Sequence, residues 1–246
     1  AVMICVLPVT VRNYVVAKDV VLISSYFGEN LLIGNGPDSD GCTPWTPYLQ
    51  KLEGTGRWSV YVYVNVVRGV ERELNKAGIK HSEVSSYFTK QAVDFMLANK
   101  WRTVKLIAKK TLLFWGPLEV TCNKVVELEK AHYKTLRFMP GFPVMMALFL
   151  MGTLILLQQF RKGNLGLSSE SRYLLFAAYA FIAVYFLSYL PFFSTGRYRV
   201  PLIPFMILGG AWGIWQLWTL FRAQDTRRSG ILYAVAFVVF WGVCSV

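Results

Sequence analysis

Residues 141–160 read GFPVMMALFLMGTLILLQQF, without one charged side chain. A helix rises about 1.5 Å per residue, so a run of about 20 residues crosses about 30 Å, the hydrocarbon thickness of a bilayer. The stretch therefore reads as a transmembrane helix. The same reading applies downstream to Tyr173 to Phe193, which is rich in aromatics, and to Pro201 to Phe221. Pro201 and Pro204 suit the first turn of that helix. A further span begins at Ile231 and continues to Val246. Ala1 to about Val11 reads as the end of an earlier helix. The chain opens directly in apolar sequence, with no initiating Met, basic leader or small-residue cleavage site, and it stops inside an apolar run. Both ends therefore read as cuts within helices.

Composition agrees with a membrane protein. The 246 residues are 54% hydrophobic, 15% aromatic and 16% charged, against about 25% charged in an ordinary soluble domain. The net charge of +12 raises nucleic acid as a partner. The basic residues are spread over loops and one helix face, with no nucleic-acid-binding motif around them, which argues against it. Anionic membrane lipids, or a phosphorylated lipid, suit a basic chain in a bilayer better.

Loop charges orient the spans. Arg161, Lys162 and Arg172 lie in one connection, and Arg222, Arg227 and Arg228 in another on the same side; Arg197 and Arg199 lie opposite. The bias of three and three against two puts the first pair of loops in the cytoplasm. Residues 12–139 then lie outside, since long loops translocate largely regardless of charge. The expected organisation is the end of a transmembrane helix over 1–11, an extracytoplasmic layer with amphipathic interfacial helices over 12–139, and transmembrane helices over 140–246. The expected fold class is an all-α polytopic membrane protein, with one β-hairpin in the layer. Its strands would be Val20 to Ile23 and Leu31 to Ile33, turning around Gly28.

Within the layer, Ser82 reads as a helix N-cap with Glu83 in the first turn. The helix repeats Val84, Phe88, Ala92, Phe95 and Met96 on one side. The next helix, Trp101 to Trp115, carries Val104, Ala108, Leu112 and Trp115 along one side and Arg102, Lys105, Lys109 and Lys110 over much of the rest. Such a helix fits a membrane surface, or equally a solvated face packed on its own layer.

Several residues bear on chemistry. Cys42 and Cys122 both fall in the layer and are a candidate disulfide; Cys5 and Cys244 lie in apolar segments as packing residues. His81 and His132 have no ligand at a metal-binding spacing, so no metal site is expected. Asp38-Ser39-Asp40 resembles a short acidic metal pattern, but in the Gly/Pro-rich stretch Gly34 to Gly41 it reads better as a turn. Arg197-Tyr198-Arg199 sits at the mouth between two spans. Arginine near hydrocarbon usually has a partner. A phosphate at the head-group boundary fits its planar fork, and so does unspecific snorkelling to lipid.

Arg197-Tyr198-Arg199-x-Pro201-x-x-Pro204 resembles the late motif of the superfamily of dolichyl-phosphate-mannose and protein mannosyltransferases, of the GT-C class, which includes the lipid A aminoarabinose transferases. Three further stretches are similar in order and spacing. Pro8-Val9-Thr10-Val11-Arg12-Asn13-Tyr14 resembles the family's helix exit. Asn30 to Asn35, followed by Pro37 and Gly41, resembles its Gly-Asn-x-Pro loop. Phe114-Trp115-Gly116-Pro117-Leu118-Glu119 resembles the Phe-Trp…Glu stretch before the next span. Departures are Gly36, where members often have a second Asn, and Val120 to Asn123, where they are Asn-rich. The acidic pair of the family's first outer loop has no counterpart and would lie upstream of Ala1.

The resemblance implies transfer of a sugar from a polyprenyl-phosphate donor to an acceptor at the outer face of a plasma membrane, the bacterial inner membrane. It implies that Arg197, Tyr198, Arg199 and Arg12 contact the donor phosphate, and that Asn13, Asn30 and Asn35 contact sugar or acceptor. No catalytic residue is assigned, since the base would lie outside the chain, and no cofactor is expected. A transporter or lipid flippase is the alternative; charges near mid-bilayer would favour it, and residues 141–160 and 173–193 carry none. A scaffold is disfavoured by the paired arginines.

Overall fold

The computed structural model describes residues 2–54, 63–118, 120, 131–135, 141–163, 166–222 and 226–245. Among these every regular element is a helix, and four helices are long and apolar enough to cross a membrane. The chain is an all-α polytopic membrane protein. It divides into two compact units, one of Ala1–Lys110 with Leu190–Ser194, the other of Thr111–Tyr189 with Thr195–Val246. The division falls inside a helix, well before the boundary near residue 140 that the hydropathy pattern suggests.

The first unit contains α1 (Val2–Ala17), α2 (Phe27–Asn35), α3 (Pro47–Glu53), α4 (Tyr63–Leu74), α5 (His81–Ala98) and most of α6 (Lys100–Trp115). Local signals explain α3. Thr46 accepts a hydrogen bond from the Leu49 amide at 3.3 Å, Pro47 opens the helix, and Gly54 closes it at φ 78°. The core joins Leu31, Leu32 and Ile33 of α2 to Leu49 and Leu52, to Val66 and Val70, and to Val84, Phe88 and Ala92. Helix α2 lies so close to α5 that a Cβ on Gly28 would come within 1.8 Å of the Ser85 carbonyl oxygen.

Two expectations need correction. No hairpin forms among the described residues: 31–33 lie in helix α2, and Val20, Leu22 and Ile23 are exposed in irregular chain. Most of α2 is buried, so its apolar residues form a continuous run that period alone cannot tell from a strand. Ser82 is not the cap of α5. Lys80 occupies that position, and the Ser82 amide and hydroxyl both donate to the carboxylate of Asp19, which caps the helix from a distance in sequence. On α6 the packed face holds Leu106, Lys110 and Phe114, while Val104, Ala108 and Leu112 face outward.

The second unit holds α7 (Phe142–Arg161), α8 (Ser169–Tyr189), a 3₁₀ turn (Gly196–Leu202), α9 (Ile203–Arg222) and α10 (Arg227–Ser245). Helix α7 is central and packs on α9 and α10. Lipid tails are as apolar as leucine, so spans associate through close packing and polar contacts. Gly152 of α7 faces Gly209 and Gly213 of α9: a Cβ on Gly152 would fall 2.3 Å from the Gly209 oxygen. Gln159 donates to Gln216 at 3.0 Å, and the hydroxyls of Thr153 and Tyr179 lie 2.7 Å apart. Ile182 is the only residue of α8 that is buried among those described, and an apolar cavity of about 320 Å³ lies between α7, α8 and α9, lined by Phe149, Leu175, Tyr179 and Trp212.

Gly152→Ala sets its methyl group against backbone, which cannot rotate away. We expect it to destabilise the second unit by about 1–3 kcal/mol, read as a lower melting temperature in detergent, whereas Gly242→Ala, which meets nothing within 4 Å, should leave it unchanged.

Candidate functional site

Two polar clusters stand out, one in each unit. In the second, the 3₁₀ turn enters α9 through Pro201, and its residues hold the segment that follows α6. Thr195 and Gly196 donate to the carbonyl of Val120 at 3.0 and 2.8 Å. The buried guanidinium of Arg199 donates to the carbonyls of Gly116 at 2.8 Å and Leu118 at 2.6 Å, and lies 4.1 Å from the centre of the Phe142 ring. The Phe-Trp-Gly-Pro-Leu stretch and the Arg-Tyr-Arg stretch, 80 or so positions apart in the chain, are therefore bonded neighbours.

Arg197 differs in every respect. It is exposed, and its guanidinium lies 5.4 Å from the ring of Tyr198. Tyr198 packs on Tyr189 with ring centres 4.5 Å apart, and Tyr189 on Tyr185 at 4.8 Å. A ladder of tyrosines at one end of the span bundle, with a cation at its tip, is the arrangement that suits a head-group boundary. Of the two arginines, one fastens the backbone and the other presents its charge outward.

The residues of the first unit expected at the site also make contacts within the protein. Asn35 is buried; its amide donates to the carbonyls of Leu31, at 2.9 Å, and Pro191, while its oxygen accepts from the Lys110 ammonium at 2.8 Å. Both amide hydrogens and the oxygen are thus engaged with protein. Asn13 donates to the carbonyl of Val21 at 3.0 Å and Thr10 to that of Leu22 at 2.9 Å, tying α1 to the chain that leaves it. Asn13 also lines an open cavity of about 250 Å³ with Asp19, Tyr26 and His81. Arg12 is exposed on α1 and Asn30 is half-buried on α2. The carboxylate of Asp40 accepts from the amides of Cys42 and Thr43 and from the Thr43 hydroxyl. Burial alone would raise its pKa, but these bonds outweigh it and hold the carboxyl at about 2. That is the turn reading of residues 38–40, and no metal-binding cluster occurs among the described residues. Cys42 is half-buried with its thiol 3.4 Å from Asp40; Cys122 lies outside the described residues.

Two ionisable groups escaped the sequence reading. Glu29 on α2 is 2% exposed, one carboxyl oxygen has no hydrogen-bond partner, and burial pushes its carboxyl up to about 8. Tyr63, packed on Tyr26 and stacked on His81, likewise has a buried hydroxyl without a partner. Lys110 is 2% exposed, and burial pushes its ammonium down to about 8. Nothing local marks either residue: Glu29 looks like a first-turn acid, and Lys110 like one of four cations on a basic helix.

Glu29 makes the first unit sensitive to pH. Its folded value is raised from 4.5 to about 8, so the associated stability is complete below about 4.5 and falls as pH rises through about 8. Melting temperature should therefore drop by several degrees from pH 5 to pH 8, and Glu29→Gln should flatten the slope. In the second unit, Arg199→Ala leaves the carbonyls of Gly116 and Leu118 without their donor and removes the cation from the Phe142 ring. It should destabilise by about 2–4 kcal/mol, with Arg199→Lys recovering part, as measured by denaturation in detergent.

No family model, curated protein or solved structure matches the chain, so its function is argued from these residues and their geometry.

Proposed function

We propose that the protein belongs to a membrane glycosyltransferase that takes sugar from a polyprenyl-phosphate donor, with residues 12–139 on the outer face of a plasma membrane, the bacterial inner membrane. The observation that carries this reading is the division of labour at the Arg-Tyr-Arg turn. Arg199 secures the turn from beneath, and Arg197 stands exposed beside the tyrosine ladder, at the end of the bundle opposite Arg161, Arg172 and Arg222. A fixed cation beside apolar rings suits an anion whose other end is hydrocarbon. In glycosyl transfer from a lipid phosphate, negative charge collects on the leaving oxygen, and a preorganised cation there lowers the barrier. The Arg-Tyr-Arg resemblance to the mannosyltransferase superfamily supports the same assignment. The phosphate contact rests on Arg197; Arg199 acts on it by position.

The test is binding of polyprenyl phosphate to the purified protein in lipid nanodiscs. Arg197→Ala removes a charge-assisted contact and should weaken binding about tenfold to a hundredfold with the melting temperature unchanged. Arg197→Lys should fall between, because it keeps the charge and loses the fork. The uncharged polyprenol should bind all three proteins alike. Equal affinity of wild type and Arg197→Ala for the phosphate would remove the donor site from this turn.

A further inference from the structure

Helix α6 has two faces of opposite use. Leu106, Lys110 and Phe114 are buried, and at about 100° per residue they share one side. Trp101, Val104, Ala108 and Leu112 share the other. Trp101 is 70% exposed, Val104 54% and Leu112 73%. An ordinary amphipathic helix would bury this stripe and show its cations. Here the helix packs through a face that includes a lysine and leaves its apolar stripe uncovered along three turns.

We propose that this outward face of α6 is seated in the surface of the lipid bilayer. The stripe lies among the upper acyl carbons, and Lys105 and Lys109 reach back to anionic lipid phosphates.

Three observations point to lipid as the occupant. The chain carries four spans, so a bilayer is part of its surroundings. The last turn of α6 is fixed to one of them: Phe114 and Trp115 pack on Phe186 of α8, with ring centres 5.0 and 5.3 Å apart. Phe186 is one turn from the end of that span, beside the tyrosine ladder, so α6 terminates at head-group depth. The charges also fit. Lys105 and Lys109 flank the stripe, and the Lys105 ammonium lies 5.4 Å from the centre of the Trp101 ring, the pairing expected where an aromatic marks the boundary and a lysine stem runs along it toward phosphate. Anionic lipid attracts such cations with an energy that salt screens. Arg102 is excluded from this role, because it donates to the Pro37 carbonyl and covers Phe95.

The test uses single cysteines at Val104, Lys105, Ala108 and Leu112, in the full chain with Cys5, Cys42, Cys122 and Cys244 replaced. The protein is spin-labelled and reconstituted in vesicles of phosphatidylcholine with phosphatidylglycerol. Labels at Val104, Ala108 and Leu112 should collide severalfold more with oxygen than with a water-soluble nickel chelate, and the label at Lys105 should show the reverse. With phosphatidylcholine alone, the contrast should shrink. In the protein with its native cysteines, Trp101→Phe should remove a component of fluorescence that bromine-labelled lipid quenches, which reads the same face without labels. Nickel access at the stripe equal to that at Lys105 would mean a solvated helix. Shielding from both agents would mean a protein partner or a second copy. Either result overturns the proposal, as does an unchanged quenchable signal in Trp101→Phe.

Discussion

The second unit depends on one buried cation. A guanidinium presents five N–H groups in a rigid plane and cannot lose its charge. Placing one out of water is tolerable only where acceptors are already aimed at it. Arg199 donates to the carbonyls of Gly116 and Leu118 and lies over the Phe142 ring. Three separate pieces of chain meet on it: the exit of α6, the first turn of α7 and the entry to α9. Without the cation, both carbonyls would lose their donor. Arg197 rises from the same turn with its side chain exposed.

A similar economy runs through the first unit. Asn35 joins the end of α2, the chain at Pro191 and the Lys110 ammonium through one amide. Asp19 caps α5 from outside the helix. Polar groups buried here are joints between segments far apart in sequence. Glu29 and Tyr63 stand apart, since each retains a buried oxygen without a partner.

The legible parts of the sequence were those set by local physics. Apolar length placed all four spans to within a few residues, because the bilayer imposes one thickness on every crossing. The 3.6-residue period placed Val84, Phe88 and Ala92 on the buried side of α5. What failed required knowledge of neighbours. The run Leu31-Leu32-Ile33 has no period, since its helix is covered on most sides. The apolar stripe of α6 was found correctly, but a stripe says only that a face avoids water, and protein and lipid satisfy it equally. Ser82 has the chemistry of a cap but donates its hydroxyl hydrogen bond to a carboxylate from elsewhere. The two arginines, one residue apart, are indistinguishable by type; only the path of the chain after α6 separates them.

The glycine contact between α7 and α9 has a thermodynamic consequence. Separating these helices within a bilayer exchanges protein contacts for lipid contacts, and little apolar surface meets water. The heat-capacity increment that bends the stability curve of a water-soluble domain arises from that exposure, so it is small for this pair. The association draws on dispersion between closely packed backbones instead. Its free energy varies almost linearly with temperature, with no maximum near room temperature and no weakening on cooling.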